Sequence, residues 1–398
     1  MVDTATDTDS TNATRHDIEH VDCIISGGGP AGIVAGLLLA RGGVKVVVLE
    51  KHEDFFRDFR GDTIHPSTLR LLDELGLYHR FARITHRRVE GVTLTGRSGE
   101  DLLLADFTRL DLPHPFMTIA PQWDFLNLLA EAGEDEPNFD LRMGVEATSL
   151  IWDDDRVVGL RAQNSTVADV SAPAEVEFRA PLVIAADGRW SKARAEAGLS
   201  MRELPSTIDV WWFRIDTEAV LPDSVAPRGG NGKVFVAIPR AGHVQIARLI
   251  PKGVDERLRA EGIEALRDAV AETYPQLAGD VGKVEFDDVK LLDVRRSEAR
   301  RWFADGLLCI GDSAHAMSPL GGVGVNLAVQ DGIAVSRMLA EPLRSGSVRP
   351  SELRRLQLRR LPTTRAVELL QSEIHRMVEP AVHGHRPIRP PAPVESGC

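Results

Sequence analysis

The sequence predicts a mixed α/β fold in which a parallel-sheet, nucleotide-binding domain is interleaved with an antiparallel-sheet domain and followed by C-terminal helices. Three observations carry this. Residues 21–26, 30–41 and 45–49 read as strand, helix and strand, both strands nearly all apolar, as in a βαβ unit of a sheet buried on both faces. Residues 208–216, 233–240 and 243–250 alternate with a period of two across Gly-containing connections, which is the pattern of an antiparallel sheet. Late in the chain, the apolar run 307–310 leads through Gly311-Asp312 to a second glycine-rich turn, 319–326, that opens a helix.

The remaining elements follow in order. Residues 1–20, rich in Thr and Asp, read as a disordered lead-in without the basic start and apolar middle of a signal peptide. A helix is expected over 66–75, closed by Gly76, and strands over 89–95 and 102–106 around the turn 96–99. Residues 122–132 form a helix with Phe125, Leu126, Leu128 and Leu129 inward. Strands 147–152 and 157–162 flank the hairpin turn Asp153-Asp154-Asp155, and the buried strand 182–186 leads to Asp187-Gly188. One amphipathic helix is expected over 255–273, another over 322–339, then a charged helical tail broken at Pro362 and a Pro-rich, disordered end from 384. These elements divide into a discontinuous nucleotide-binding domain (21–90, 107–206 and 284–345) and a substrate domain (91–106 and 207–283). C-terminal helices (346–380) and a disordered tail (381–398) follow.

Composition narrows the function. A hydrophobic share of 43% and a charged share of 27% over 398 residues are those of an ordinary globular chain. Lys+Arg 47 against Asp+Glu 59 gives −12, which argues against nucleic acid or an anionic membrane as a partner. No apolar run approaches the roughly 20 residues that span a bilayer. Cys23, Cys309 and Cys398 are odd in number and widely spaced, and two of them fall in buried strands. They read as core residues of a cytoplasmic protein rather than a disulfide framework. Monomer and homodimer both remain open.

Gly27, Gly29 and Gly32 have the G-x-G-x-x-G spacing directly between a strand and a helix, so the first domain reads as Rossmann-like. The first glycine allows the tight turn, the second lets a pyrophosphate approach the backbone, and the third lets the helix pack on the sheet. Glu50 ends the second strand 18 residues after Gly32, suited to ribose hydroxyls and opposed to a 2′-phosphate, with Lys51 beside it. Asp187-Gly188, taken alone, is a turn, and Ser191 a helix N-cap. Asp312 at a strand end can accept from sugar-chain hydroxyls, and the 321–324 turn offers N–H groups where an anion develops on a flavin ring. Two glycine turns so far apart imply one long dinucleotide held at both ends, which points to FAD.

Taken in order, Gly27–Gly32 with Glu50, then Asp187-Gly188, then Gly311-Asp312 with Pro319, Gly322, Gly324 and Asn326, resemble the single-component (class A) flavoprotein monooxygenases. These are the aromatic hydroxylases related to p-hydroxybenzoate hydroxylase, and the likeness runs from residue 21 through the long C-terminal helix. Arg60 sits where the family has an arginine near the FAD phosphates and flavin, and Gln122 where a residue contacts the FAD sugar chain. The Asp-Gly segment serves both FAD and the reduced nicotinamide in the family, which raises the interest of Asp187 and Arg194. The family often has Gln at Val323; backbone contacts of Val323, Gly324 and Val325 with the ring make the change tolerable. The resemblance implies FAD reduced by NADH or NADPH, a flavin C4a-hydroperoxide, and hydroxylation of an aromatic or polyketide-like small molecule in a water-excluding site.

The substrate side is less determined. Trp211, Trp212, Phe213, Arg214 and Arg248 lie on the strands expected to roof the pocket, with Trp211 and Phe213 on one face and Trp212 and Arg214 on the other. His315 reads as a structural histidine, and His383 with His385 is too sparse for a metal site. Arg354, Arg355, Arg359 and Arg360 read as a solvated helix face. Competing readings are a flavin oxidoreductase that moves hydride without inserting oxygen, and a non-enzymatic flavin- or drug-binding protein. A flavin halogenase is disfavoured because residues 211–215 lack that family's Trp-x-Trp-x-Ile-Pro pattern.

Overall fold

The computed structural model describes residues 18–56, 63–95, 101–164, 175–221, 227–240 and 242–385. Its first βαβ unit is β1 (Cys23–Ser26), α1 (Pro30–Arg41) and β2 (Val46–Glu50). Helices α2 (Pro66–Glu74) and α3 (Gln122–Glu134) precede β3 (Phe139–Met143), and β4 (Leu182–Ala185) follows a long hairpin. The antiparallel strands are β5 (Ile208–Asp216), β6 (Lys233–Arg240) and β7 (His243–Pro251), followed by α4 (Ile263–Thr273). Strand β8 (Leu307–Cys309) leads to α5 (Gly324–Arg344) and α6 (Pro350–Val382).

Strands β8-β4-β1-β2-β3 lie side by side in one parallel sheet, extended at the β8 edge by an antiparallel strand, Phe303–Ala304. The near-continuous Val/Ile/Leu runs are explained by cover on both faces. Ile25, Val46, Val48 and Ile184 pack under α1, α3 and α5. Ile24, Val47, Val183 and Cys309 pack against the hairpin Val145–Asp153/Arg156–Asn164, through Leu150, Val157 and Leu160. Cys23 and Cys309 are free and buried.

The antiparallel sheet, in the order Arg228–Gly230, β6, β7, β5, Lys290–Leu292, has two differently covered faces. Trp211, Phe213, Phe235 and Ile246 pack with Leu266, Ala269 and Val270 of α4. Val210, Val234, Ala247 and Leu249 pack with Val378, Ala381 and Val382 of α6, and with Trp212 and Leu320. The strands Gly91–Thr95 and Asp101–Asp106 pair as a separate two-stranded sheet, and the turn expected at 96–99 lies outside the described residues.

Several sequence expectations are corrected. The helix expected over 255–273 is two, Asp255–Ala260 and α4, because Gly262 takes φ +89° and interrupts the helical backbone. The helix expected from 322 begins at Gly324, since Gly321 and Gly322 adopt φ +84° and +60°. Pro362 does not break the tail: α6 runs unbroken for 33 residues. Pro362 and Leu358 both face outward, so water can take the carbonyl that the missing N–H leaves free. The disordered tail expected from 381 is helical to Val382, and its portion from 386 lies outside the described residues; of the disordered lead-in expected over 1–20, Ile18–His20 is a strand paired with Val176–Arg179, and the part up to 17 lies outside the described residues. Among the described residues, no helix is long and apolar enough to cross a membrane.

Candidate active site

Three sequence-distant motifs meet because each follows a strand of one parallel sheet in register. Ser26 pairs with Leu49 and with Ala185, and Ala185 with Cys309, so Gly27, Glu50, Asp187 and Gly311 all emerge at the same carboxyl edge. That edge is where open α/β sheets bind ligands.

Close backbone contacts require two of the three glycines in the first turn. Gly27 takes φ +107°, and a Cβ there would lie 2.3 Å from Ala186 O. A Cβ on Gly32 would lie 1.9 Å from Gly27 O, which is why α1 can start so close to the turn. Gly29 is different: a Cβ there meets nothing within 4 Å. The open space beside Gly29 faces the start of α1, a helix with no side-chain cap, where backbone N–H groups are available to an anion. Glu50 is buried and accepts from Gly28 N–H at 2.9 Å and His52 N–H at 3.1 Å, so it shapes the turn as well as bordering it. Lys51, next to it, is exposed.

Asp187 caps the following helical turn through Oδ2, which accepts from Lys192 N–H at 2.9 Å, while Ser191 Oγ accepts from Arg194 N–H at 3.0 Å. Its other oxygen, Oδ1, is buried without a partner. Burial pushes this carboxyl above its usual range against the hydrogen bonds from Ser191 and the neighbouring N–H groups. An orphaned carboxylate oxygen at the sheet edge, next to Gly188 with its own open Cβ position, fits a hydroxyl-rich ligand. Arg194 is buried and ties this motif to the last one, donating to Ser313 O at 2.8 Å and Arg189 O at 3.0 Å.

At the third motif Gly311 N–H donates to Asp331 Oδ2 at 2.9 Å. Asp331, fully buried on α5, also accepts from His315 Nε2 at 2.7 Å and Arg360 Nε at 2.7 Å. Asp312 is partly exposed, with Arg189 Nη2 at 3.7 Å, and its charge also acts on His315. The glycine turn is locked from the other side. A Cβ on Gly322 would meet Thr63 Oγ1 at 2.4 Å. Asn326 accepts from His65 N–H and Thr68 Oγ–H at 2.8 Å each and donates to Thr63 O at 3.0 Å. Gly324 has open space where a Cβ would be, while the Val325 side chain is buried in the helical core. Pro319 and Val323 are half-buried at either end of the turn. His65 Nε2 is buried beside Gly321 and Gly322 without a partner, and burial holds this ring below the usual histidine range.

Three open glycine edges, at Gly29, Gly188 and Gly324, an orphaned Asp187 oxygen and two uncapped helix starts along one strip therefore fit an extended dinucleotide such as FAD. Gln122 opens α3 in a half-buried position, and Arg60 lies outside the described residues.

Of the residues expected to contact substrate, three share one face of the antiparallel sheet. Trp211, Phe213 and Arg248 lie on the sheet face covered by α4. Trp211 donates from Nε1 to Asp255 at 2.6 Å, and the Arg248 guanidinium sits 5.3 Å over its ring. Strand alternation turns them away from Leu320. Arg214 is exposed and paired with Asp216 at 2.5 Å. The opposite face carries Trp212, whose Nε1 is buried without a partner in the cluster that includes Leu320. Arg360, expected on a solvated face, is buried against Asp331 instead, while Arg354, Arg355 and Arg359 are exposed.

Comparison with known proteins agrees with this geometry. The family described as FAD binding domain matches residues 20–369. The chain is 32% identical to 6-methylpretetramide 4-monooxygenase of Streptomyces rimosus, over 94% of this chain and 88% of that protein. It is 26% identical to protoasukamycin 4-monooxygenase of Streptomyces nodosus subsp. asukaensis, over 91% of this chain and 90% of that protein. The fold is shared with OxyS anhydrotetracycline hydroxylase of Streptomyces rimosus, at a TM-score of 0.69 and 21% identity over 92% of this chain and 74% of that one. It is also shared with PqsL of Pseudomonas aeruginosa in complex with 2-aminobenzoylacetate, at a TM-score of 0.76 and 20% identity over 92% and 97%.

Proposed function

We propose, on the premise that this chain belongs to the FAD binding domain family of flavin-dependent monooxygenases, that its substrate is a polycyclic phenol of the aromatic polyketide kind. As a member of that family it is an FAD-dependent monooxygenase. When bound, FAD takes reducing equivalents from NAD(P)H and supplies the redox chemistry that places one atom of O2 on an organic substrate. The observation that carries the substrate class is the likeness, over nearly the whole chain, to a protein named 6-methylpretetramide 4-monooxygenase.

The chain's own residues take the following parts. The α1 N-terminus and Gly29 hold the pyrophosphate, where N–H groups and the helix dipole favour an anion. Glu50, Asp187 and Asp312 accept from sugar and sugar-chain hydroxyls. The 319–324 turn receives the flavin ring, with backbone rather than side chains toward it. The Trp212 face of the antiparallel sheet closes the site against water, and the orphaned Trp212 Nε1 donates to a substrate oxygen. Buried thiols at Cys23 and Cys309 suit the reducing cytoplasm.

The test is mass spectrometry of products from tetracyclic and simple phenols incubated with protein, FAD, NAD(P)H and isotope-labelled O2. Gain of one labelled oxygen by the tetracyclic phenol is expected. Reductant consumed only to peroxide with both classes would reject the substrate assignment. Asp312→Ala should leave the fold intact, since the side chain is partly exposed and has Arg189 at 3.7 Å as its ion-pair partner. Loss of one charge-assisted hydrogen bond of about 1.5–3 kcal/mol should weaken FAD binding by about 10- to 100-fold. Titration of the apo variant with FAD, followed by fluorescence, measures it; unchanged affinity would remove Asp312 from the site.

A further inference from the structure

Helix α6 is fastened to the molecule at three heights. Near its start Arg360 grips Asp331, which holds Gly311. At its end Val378, Ala381 and Val382 pack on the Trp212 face of the antiparallel sheet, and Ala381 O accepts from Gly232 N–H at 2.9 Å. Between these, Gln371 and His375 take hold of residues 318–320, immediately before the glycine turn.

That middle grip is dense. Gln371 accepts from Ser318 N–H at 3.2 Å and donates through Nε2 to Ser318 O at 2.8 Å and Leu320 O at 2.9 Å. His375 Nε2 lies 2.8 Å from Ser318 Oγ. Ser318 Oγ also accepts from Leu320 N–H at 3.3 Å, and its hydroxyl can either donate to the imidazole or accept from it, according to the ring tautomer. All three side chains are buried, Gln371 at 0%, Ser318 at 2% and His375 at 6% exposure. Pro319, which has no N–H of its own, is thus fixed from both flanks. Burial, reinforced by the Arg296 guanidinium and opposed by Glu379, depresses His375 to about 4, so the ring is uncharged near neutrality, with one nitrogen donating and the other accepting.

We propose that His375 is a positioning residue for oxygen transfer: through Ser318 it sets the backbone of the 319–322 turn against which the flavin ring is held. The proposal rests on the placement of the ring at this turn given above. The turn's path is dictated by α6, and displacement of that path alters the ring's surroundings without removing any group assigned above to FAD binding.

The experiment compares His375→Leu, His375→Gln and Ser318→Ala holoenzymes with the unmodified protein. It reads FAD content, the midpoint potential and visible spectrum of the bound flavin, substrate KM, kcat, and product formed per NAD(P)H oxidised. The Leu variant should retain FAD and substrate KM, shift the flavin potential and spectrum, and lose kcat by about 10- to 100-fold, as for a misplacement on the order of 1 Å. The Gln variant, whose Oε1 can accept from Ser318, should recover most of both. The double variant His375→Leu/Ser318→Ala should be no worse than His375→Leu. A Leu variant with unchanged potential, kcat and coupling would overturn the proposal, as would a Gln variant no better than Leu. If His375→Leu does not fold, Ser318→Ala takes its place: the same shifts support the proposal, and unchanged potential, kcat and coupling overturn it. An unmodified protein that binds no FAD would overturn the placement of the ring and this inference with it. Normal turnover with insensitive variants would reject the positioning role alone.

Discussion

Gly29→Val should purify as a folded, colourless protein. The backbone at Gly29 is ordinary, φ −70° and extended, so valine adds no strain, and its Cβ would meet nothing within 4 Å. The side chain fills only the space at the mouth of α1 that the pyrophosphate requires. Loss of two charge-assisted N–H contacts at about 1.5–3 kcal/mol each corresponds to FAD binding weakened by more than about 100-fold. Gly32→Ala makes the control. Its Cβ would sit 1.9 Å from Gly27 O, so α1 must move off the sheet and the fold itself should suffer. The flavin-to-protein absorbance ratio and circular dichroism separate the two outcomes. A yellow Gly29→Val protein would place the pyrophosphate elsewhere.

The contrast between these glycines also marks what was legible in the sequence. Spacing alone marked Gly27 for the tight turn and Gly32 for packing, because each role depends on residues within a few positions. Local pattern likewise placed α1, which runs over Pro30–Arg41 as expected, and the strands β5, β6 and β7. Contacts over long separations were not legible. Arg360 falls among arginines that do face water, and only its place on the inward stripe with Leu353, Leu356, Thr364, Gln371 and His375 sets it apart. Polar residues recurring at helical spacing on an otherwise apolar stripe are a readable signal that a buried partner awaits them. The partner's identity, Asp331 or Ser318, is not in the stripe.

The substrate face shows the same limit in another form. Alternation sorted Trp211 and Phe213 from Trp212 without saying which helix covers each face. That choice depends on where α4 and α6 dock, and both do so through apolar residues that would serve on either face.

Asp331→Asn should lower stability more than any other single substitution at the sheet edge. Asp331 is 0% exposed and is shared by Gly311 N–H, His315 and Arg360, so neutralising it leaves a buried guanidinium uncompensated, at a cost of about 3–5 kcal/mol. The pH dependence follows from the two shifts. Burial opposes both charges, but the attraction of His315 and Arg360 lowers the Asp331 carboxyl, and the attraction of Asp331 raises His315. A lowered carboxyl stabilises above its unfolded value of about 4, and that contribution is lost as pH falls through the folded value. A raised histidine stabilises fully below its unfolded value of about 6.5, and that contribution is lost as pH rises through the folded value. The stability difference between unmodified protein and Asp331→Asn should therefore peak between about pH 4 and 6.5 and decline on both sides. Above His315's folded value a residual advantage should persist, because Arg360 stays charged. Denaturant unfolding of both proteins across that range measures the profile. A difference that is flat from about pH 5 to 9 would mean that His315 is neutral throughout and that the network holding Gly311 is the Asp331–Arg360 pair alone.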